Sequence, residues 1–79
     1  MLSNRLIEYA EKKYAERLPY LETVRAGLEE GFSRCTPEEA ALMRFFYGTM
    51  PLRDAGEYDF RVFLSFVRHG LWLREHVAW

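Results

Sequence analysis

The residue types that could form a cysteine-histidine site are present in this sequence. Cys35 is the one cysteine among 79 residues, and His69 could act with a carboxylate from Asp54, Asp59 or Glu75. In cysteine enzymes a histidine takes the thiol proton and a carboxylate orients the imidazole. The spacing here matches no local signature of such an enzyme, so we expect Cys35 to be an ordinary loop residue. We predict no catalytic residue; a small enzyme using Cys35 and His69 is the weakest alternative.

Two histidines raise the question of a metal site. His69 and His76 are seven residues apart and would share one face of a helix. A zinc site needs three or four ligands, so the sequence predicts no metal site and no cofactor. We expect His69 to be partly buried and bonded to a backbone or carboxylate group. His76 is expected to stabilise the carboxyl end of its helix together with Arg74.

The charged residues do not indicate a nucleic-acid or membrane partner. Eleven basic and twelve acidic residues give a net charge of -1. Acidic residues are interleaved with the basic ones, which is typical of a solvated helix face rather than of phosphate contacts. The basic residues in question are Arg5, Lys12, Lys13, Arg17, Arg61, Arg68 and Arg74.

The cellular compartment is predicted from what the chain lacks. One cysteine allows no intrachain disulfide, and the first residues mix charges without the apolar block of a secretory signal. The uncharged runs are shorter than the roughly 18 residues that a membrane span requires. We therefore expect a cytoplasmic protein that does not bind a membrane.

The elements are helical, and the most apolar one is the last. The stretch from Asp59 to Trp79 has apolar residues around most of a helix, with Asp59 as its cap. We expect a core helix over residues 60–76 that the rest of the chain covers on most sides. Gly70 in its middle is unfavourable, and a close helix crossing there would explain it.

Capping signals predict the other helices. Ser3 or Asn4 can cap a helix over residues 4–18, and Pro19 should separate it from a second helix over 20–30. Thr36 with Pro37 and Glu39 forms a capping box for a helix over 37–47. A short turn is expected at about 51–55. We expect Gly31 and Gly48 to end the second and third helices.

Together these elements predict an all-α fold: a small orthogonal or up-down bundle of three to four helices around the C-terminal helix, forming one domain over residues 1–79. Trp72 falls on the polar side of the last helix, where it is either covered by the first helix or part of an interface. The residues that we predict to bind a partner are Trp72, Trp79, Arg68 and His69.

Part of the second half of the chain resembles a known family. The runs FFYGTMPLRD at 45–54 and FVRHGLWLRE at 66–75 resemble an amino-terminal helical region of bacterial transglutaminase-like proteins. In that family the region precedes a papain-type domain that carries the catalytic residues. The resemblance implies that this chain is a non-catalytic accessory domain, the first part of a longer protein, which packs on a downstream catalytic domain or presents substrate to it.

An alternative hypothesis does not depend on the resemblance. The surplus of apolar residues, 49% of the chain, also suits a free-standing interaction module. Because an obligate dimer interface resembles a core cut in half, such a module would be a homodimer that buries Trp72 and Trp79.

Overall fold

Four α-helices form the fold in a computed structural model that describes residues 2–53 and 59–77. They are α1 (Asn4–Arg17), α2 (Arg25–Phe32), α3 (Pro37–Thr49) and α4 (Phe60–His76), with a 3₁₀ turn at Leu18–Tyr20 between the first two. The described residues contain no β-strand. The predicted all-α bundle is confirmed.

Local capping chemistry starts three of the helices as the sequence predicts. The Ser3 hydroxyl accepts a hydrogen bond from the Leu6 amide at 3.2 Å, so Ser3 caps α1. The Thr36 hydroxyl accepts from the Glu39 amide at 3.2 Å, and the Glu39 carboxylate accepts from the Thr36 amide at 3.0 Å. Asp59 caps α4 through a 2.9 Å hydrogen bond from the amide of Arg61.

Several predicted helix ends are wrong. Pro19 lies within the 3₁₀ turn, and the second helix runs over Arg25–Phe32 rather than 20–30. Gly31 lies within α2 and Gly48 within α3, and no described glycine has a positive φ. Residues 52 and 53 have helical backbone, whereas residues 54 and 55 of the expected turn lie outside the described part of the chain.

The most deeply buried helix is α3, which lies between α1 and α4. Met43 and Tyr47 are 0% and 1% exposed. On the α4 side, the ring of Phe60 stacks on Tyr47 and the ring of Phe63 contacts it edge-on. The other large core side chains come from every part of the bundle: Tyr14, Leu21, Leu28, Phe32 and Val67. The aromatic content of the sequence therefore forms the middle of the bundle.

The expectation that α4 is covered on most sides is wrong. Val67 is its one buried residue, while Phe60, Phe63, Leu64 and Leu71 are partly buried against the core. Helix α3 lies between α1 and α4, so α1 does not cover α4. The chain therefore covers α4 on one side, the side that faces the core. Its opposite side faces solvent.

Two glycines allow helices to approach closely. A Cβ at Gly48 would lie 2.8 Å from the backbone of Lys13 and Tyr14, so α1 and α3 meet backbone to backbone there. A Cβ at Gly31 would lie 2.6 Å from the ring of Phe60, which packs α4 onto α2. These contacts, rather than helix ends, account for both residues.

Candidate interaction surface

The solvent side of α4 is uncharged along the length of the helix. At about 100° per residue, the positions Val62, Phe66, His69, Gly70 and Leu73 share an arc of about 100°, which begins about 60° from the buried Val67. Val77, the C-cap residue, has extended backbone, follows the last turn of the helix and is 45% exposed. We call these six residues the contact stripe. The four charged residues of α4 lie outside it: Arg61, Arg68, Arg74 and Glu75.

Large apolar side chains of the stripe are exposed. Phe66 is 67% exposed and Val62 is 46% exposed, so two apolar side chains one turn apart on the same helix lie in water. Phe46 of α3 is 40% exposed beside them, and its ring stacks on that of Phe63 at 6.4 Å. The apolar surface therefore continues from α4 onto α3.

Trp72 borders the stripe and lies between two histidines. Its ring is parallel to that of His69, with centroids 6.5 Å apart, and lies 4.6 Å from that of His76. Trp72 is 54% exposed, so the alternative that the first helix covers it is wrong. The expectation of a partly buried His69 is also wrong, because His69 is exposed. Both residues are accessible to another molecule.

A groove of about 290 Å³ runs between α3 and α4 along one edge of the stripe. Its lining is almost entirely apolar and includes Phe46, Phe66 and Leu71, with Arg74 at its rim. Gly70 also lines the groove. Such a channel beside an exposed apolar helix face is a suitable receptor for bulky apolar side chains.

Gly70 is a notch in the surface of α4. An added Cβ would have no atom within 4 Å, so none of the described residues packs against the glycine. The predicted close crossing is therefore not made within the described chain. The residue leaves helix backbone open to a molecule that approaches from outside.

Arg68, which we predicted to bind a partner, makes a contact within the bundle. Its Nε donates to the Glu39 carboxylate at 2.9 Å, which links α4 to the start of α3. Burial of the Glu39 carboxyl raises its pKa, but the hydrogen bonds from Thr36 and Arg68 outweigh that effect and lower the pKa. Arg68 therefore stabilises the position of α4 beside the stripe.

A second groove, of about 390 Å³, lies between α2 and the start of α4. Three arginines line it: Arg34, Arg61 and Arg68. Arg34 pairs with Glu30 at 3.0 Å, and Arg68 pairs with Glu39. The carboxylates of Glu30 and Asp59 also line this groove. Because acidic groups balance the three guanidinium charges, the groove does not have the excess positive charge that an anion site needs.

Cys35 lies on the loop between α2 and α3. Its Sγ donates to the Gly31 carbonyl at 3.3 Å rather than to an imidazole. Burial raises the pKa of the thiol, and the nearby Glu39 carboxylate raises it further. Both effects disfavour the thiolate that a nucleophile requires. Asp54, one of the candidate carboxylates, lies outside the described residues.

Sequence reasoning located part of this surface. It selected Trp72 and His69, whereas it assigned Phe66 and Val62 to the buried part of α4. The signal that could have identified them is the absence of Asp, Glu, Lys and Arg from one whole side of the helix. Trp79, the remaining predicted partner-binding residue, lies outside the described part of the chain.

Comparison with known proteins does not add a family. No protein-family model matches the chain, and no curated protein or solved structure matches it either. Among the described residues, no helix has the length and apolarity needed to cross a membrane. The same residues contain no cluster of three or more His, Cys, Asp or Glu side chains that could hold a metal ion.

Proposed function

We propose that this chain is a non-catalytic helical interaction domain and that the contact stripe of α4, with the adjoining Trp72 and Phe46, is its docking surface. The observation that carries the proposal is the exposure of Phe66 and Val62 within the uncharged stripe, with Trp72 exposed at its border. The raised pKa of Cys35 and its bond to a backbone carbonyl support the non-catalytic part.

The size of the exposed surface supports binding. A fully exposed aromatic side chain has about 150–250 Å² of surface. With exposures of 40%, 67% and 54%, Phe46, Phe66 and Trp72 together leave roughly 300 Å² in water. The largest apolar patch on a typical monomer is about 300–600 Å² and is often functional. With the valines and Leu73 added, the α4 patch falls in that range.

One context for this surface comes from the family resemblance. In a transglutaminase-like protein, the domain would pack on the papain-like domain that follows it, and the resembling run at 66–75 contains the outer side of α4. The reading frame beyond Trp79 tests this context. A papain-like domain encoded there, bound by this chain and not by its Phe66→Ser variant, would support it; a stop codon after Trp79 would contradict it.

A pair of matched variants tests the docking surface without reference to any partner. Phe66→Ser should change the free energy of unfolding by less than about 0.5 kcal/mol, because Phe66 is mostly in water. Phe32→Ser should lower it by about 3 kcal/mol or prevent folding, because Phe32 is 6% exposed in the core. The measurement is urea unfolding in dilute protein.

The comparison has one contradicting outcome. If Phe66→Ser destabilises the dilute chain as strongly as Phe32→Ser, then Phe66 is part of the core and the docking surface does not exist. A small effect at Phe66 is the result that the proposed docking surface predicts.

A further inference from the structure

We propose that the partner of the contact stripe is a second copy of this chain, with the two α4 helices antiparallel and crossing between His69 and Gly70. This inference rests on the proposed docking surface and names its occupant. It depends on the order of residues along the stripe, on the open notch at Gly70 and on the area that a dimer needs.

The stripe is complementary to itself in the antiparallel direction. If a two-fold axis passes midway between residues 69 and 70, each stripe residue faces another stripe residue of the second copy. Val62 then faces Val77, Phe66 faces Leu73 and His69 faces Gly70. A closed two-fold dimer requires this kind of self-complementary surface.

The open space at Gly70 can accept the His69 imidazole of the second copy. A Cβ at Gly70 would have no atom of the described residues within 4 Å, and His69 is exposed one residue away. In the antiparallel pair the His69 imidazole of each copy lies over Gly70 of the other. A parallel pair would place the two glycines together and the two imidazoles together, whereas the antiparallel pair places an imidazole in each notch.

The available area agrees with that of a dimer. A standard interface buries about 800 Å² per partner, of which about 65% is apolar in homodimers, or roughly 500 Å². The three exposed aromatic side chains supply roughly 300 Å² of this. The aliphatic residues Val62, Leu73 and Val77 contribute further apolar surface. No charged residue of α4 lies within the stripe, so pairing buries none there.

Sedimentation equilibrium of the whole chain and two glycine variants tests the crossing. We expect the unmodified chain to dimerise, Gly27→Ala to leave the dissociation constant within about twofold, and Gly70→Ala to raise it about tenfold or more because a methyl group fills the crossing point. Gly27 is the matched control, since it is also helical and has no atom within 4 Å of an added Cβ. In dilute protein both variants should unfold at or above the temperature of the unmodified chain.

Cysteine cross-linking tests the direction of the helices. In a Cys35→Ser background, residues 62 of the two copies would be about 22 Å apart in the antiparallel pair, beyond disulfide reach. With a mild oxidant, Val62→Cys mixed with Val77→Cys should therefore form the mixed disulfide, and Val62→Cys alone should not.

Three outcomes would overturn the inference. They are a chain that stays monomeric at millimolar concentration, equal dissociation constants for Gly70→Ala and Gly27→Ala, and efficient cross-linking of Val62→Cys to itself. A chain that stays monomeric would contradict the dimer but not the docking surface, provided that Phe66→Ser changes the free energy of unfolding only slightly. The two proposals can therefore fail separately.

Discussion

Glu39 connects three parts of the molecule through one carboxylate. One oxygen accepts from the Thr36 amide at 3.0 Å and the other accepts from Arg68 at 2.9 Å. The same side chain therefore starts α3 and ties α4 to it. Its carboxyl is 13% exposed, whereas the Arg68 side chain is 54% exposed, so solvent weakens the ion pair but leaves the cap intact.

Glu39→Gln tests this connection through its pH dependence. The folded-state pKa of Glu39 is below its ordinary value of about 4.3, so its ionised form stabilises the fold above that pH. This contribution is lost as the pH falls through the folded-state pKa. We expect Glu39→Gln to lower the free energy of unfolding by about 1 kcal/mol near neutral pH and to remove that part of the acid dependence.

Urea unfolding between pH 3 and pH 7 measures this effect. Glu30→Gln is the control, because the Glu30–Arg34 pair is largely exposed and should contribute little. A Glu39→Gln protein with the acid dependence of the unmodified chain would show that the carboxylate does not hold the two helices together.

At the scale of helices, close backbone approach decides where α1 and α3 meet. Gly48 is buried within α3, and a Cβ there would clash with the α1 backbone at 2.8 Å. Backbone cannot move aside as a flexible side chain can. The crossing therefore depends on the missing side chain.

Gly48→Ala should lower the free energy of unfolding by about 2 kcal/mol or more, because the added methyl group separates two helices. Gly27→Ala should raise it by up to about 1 kcal/mol, because alanine favours the helix and has open space there. Thermal or urea unfolding of the two variants gives the comparison. If both substitutions stabilise the chain, α1 and α3 do not meet at Gly48.

These elements also show which features the sequence can predict. The caps at Ser3, Thr36 and Asp59 were predictable because each depends on residues within three positions of one another. Gly31 and Gly48 were assigned to helix ends because their contacts, with Phe60 and with α1, join residues far apart in the chain. Local chemistry does not encode those contacts in a form that a single sequence reveals.

At the scale of the whole molecule, the bundle has a helix that is apolar on more sides than the chain can cover. Periodicity placed apolar residues around most of α4, but it could not say which stripe α3 would cover. The structure buries Val67 and leaves Phe66 and Val62 in water. The proposed docking surface is thus the apolar part of α4 that the core does not bury.

Isotope-filtered nuclear Overhauser spectroscopy on a mixture of labelled and unlabelled chain tests the central claim most directly. At millimolar concentration, we predict intermolecular contacts between the ring protons of Phe66 and the methyl groups of Leu73, and between His69 and the α-protons of Gly70. A spectrum with no contact between copies at any of these four residues would contradict the proposed antiparallel pairing through α4.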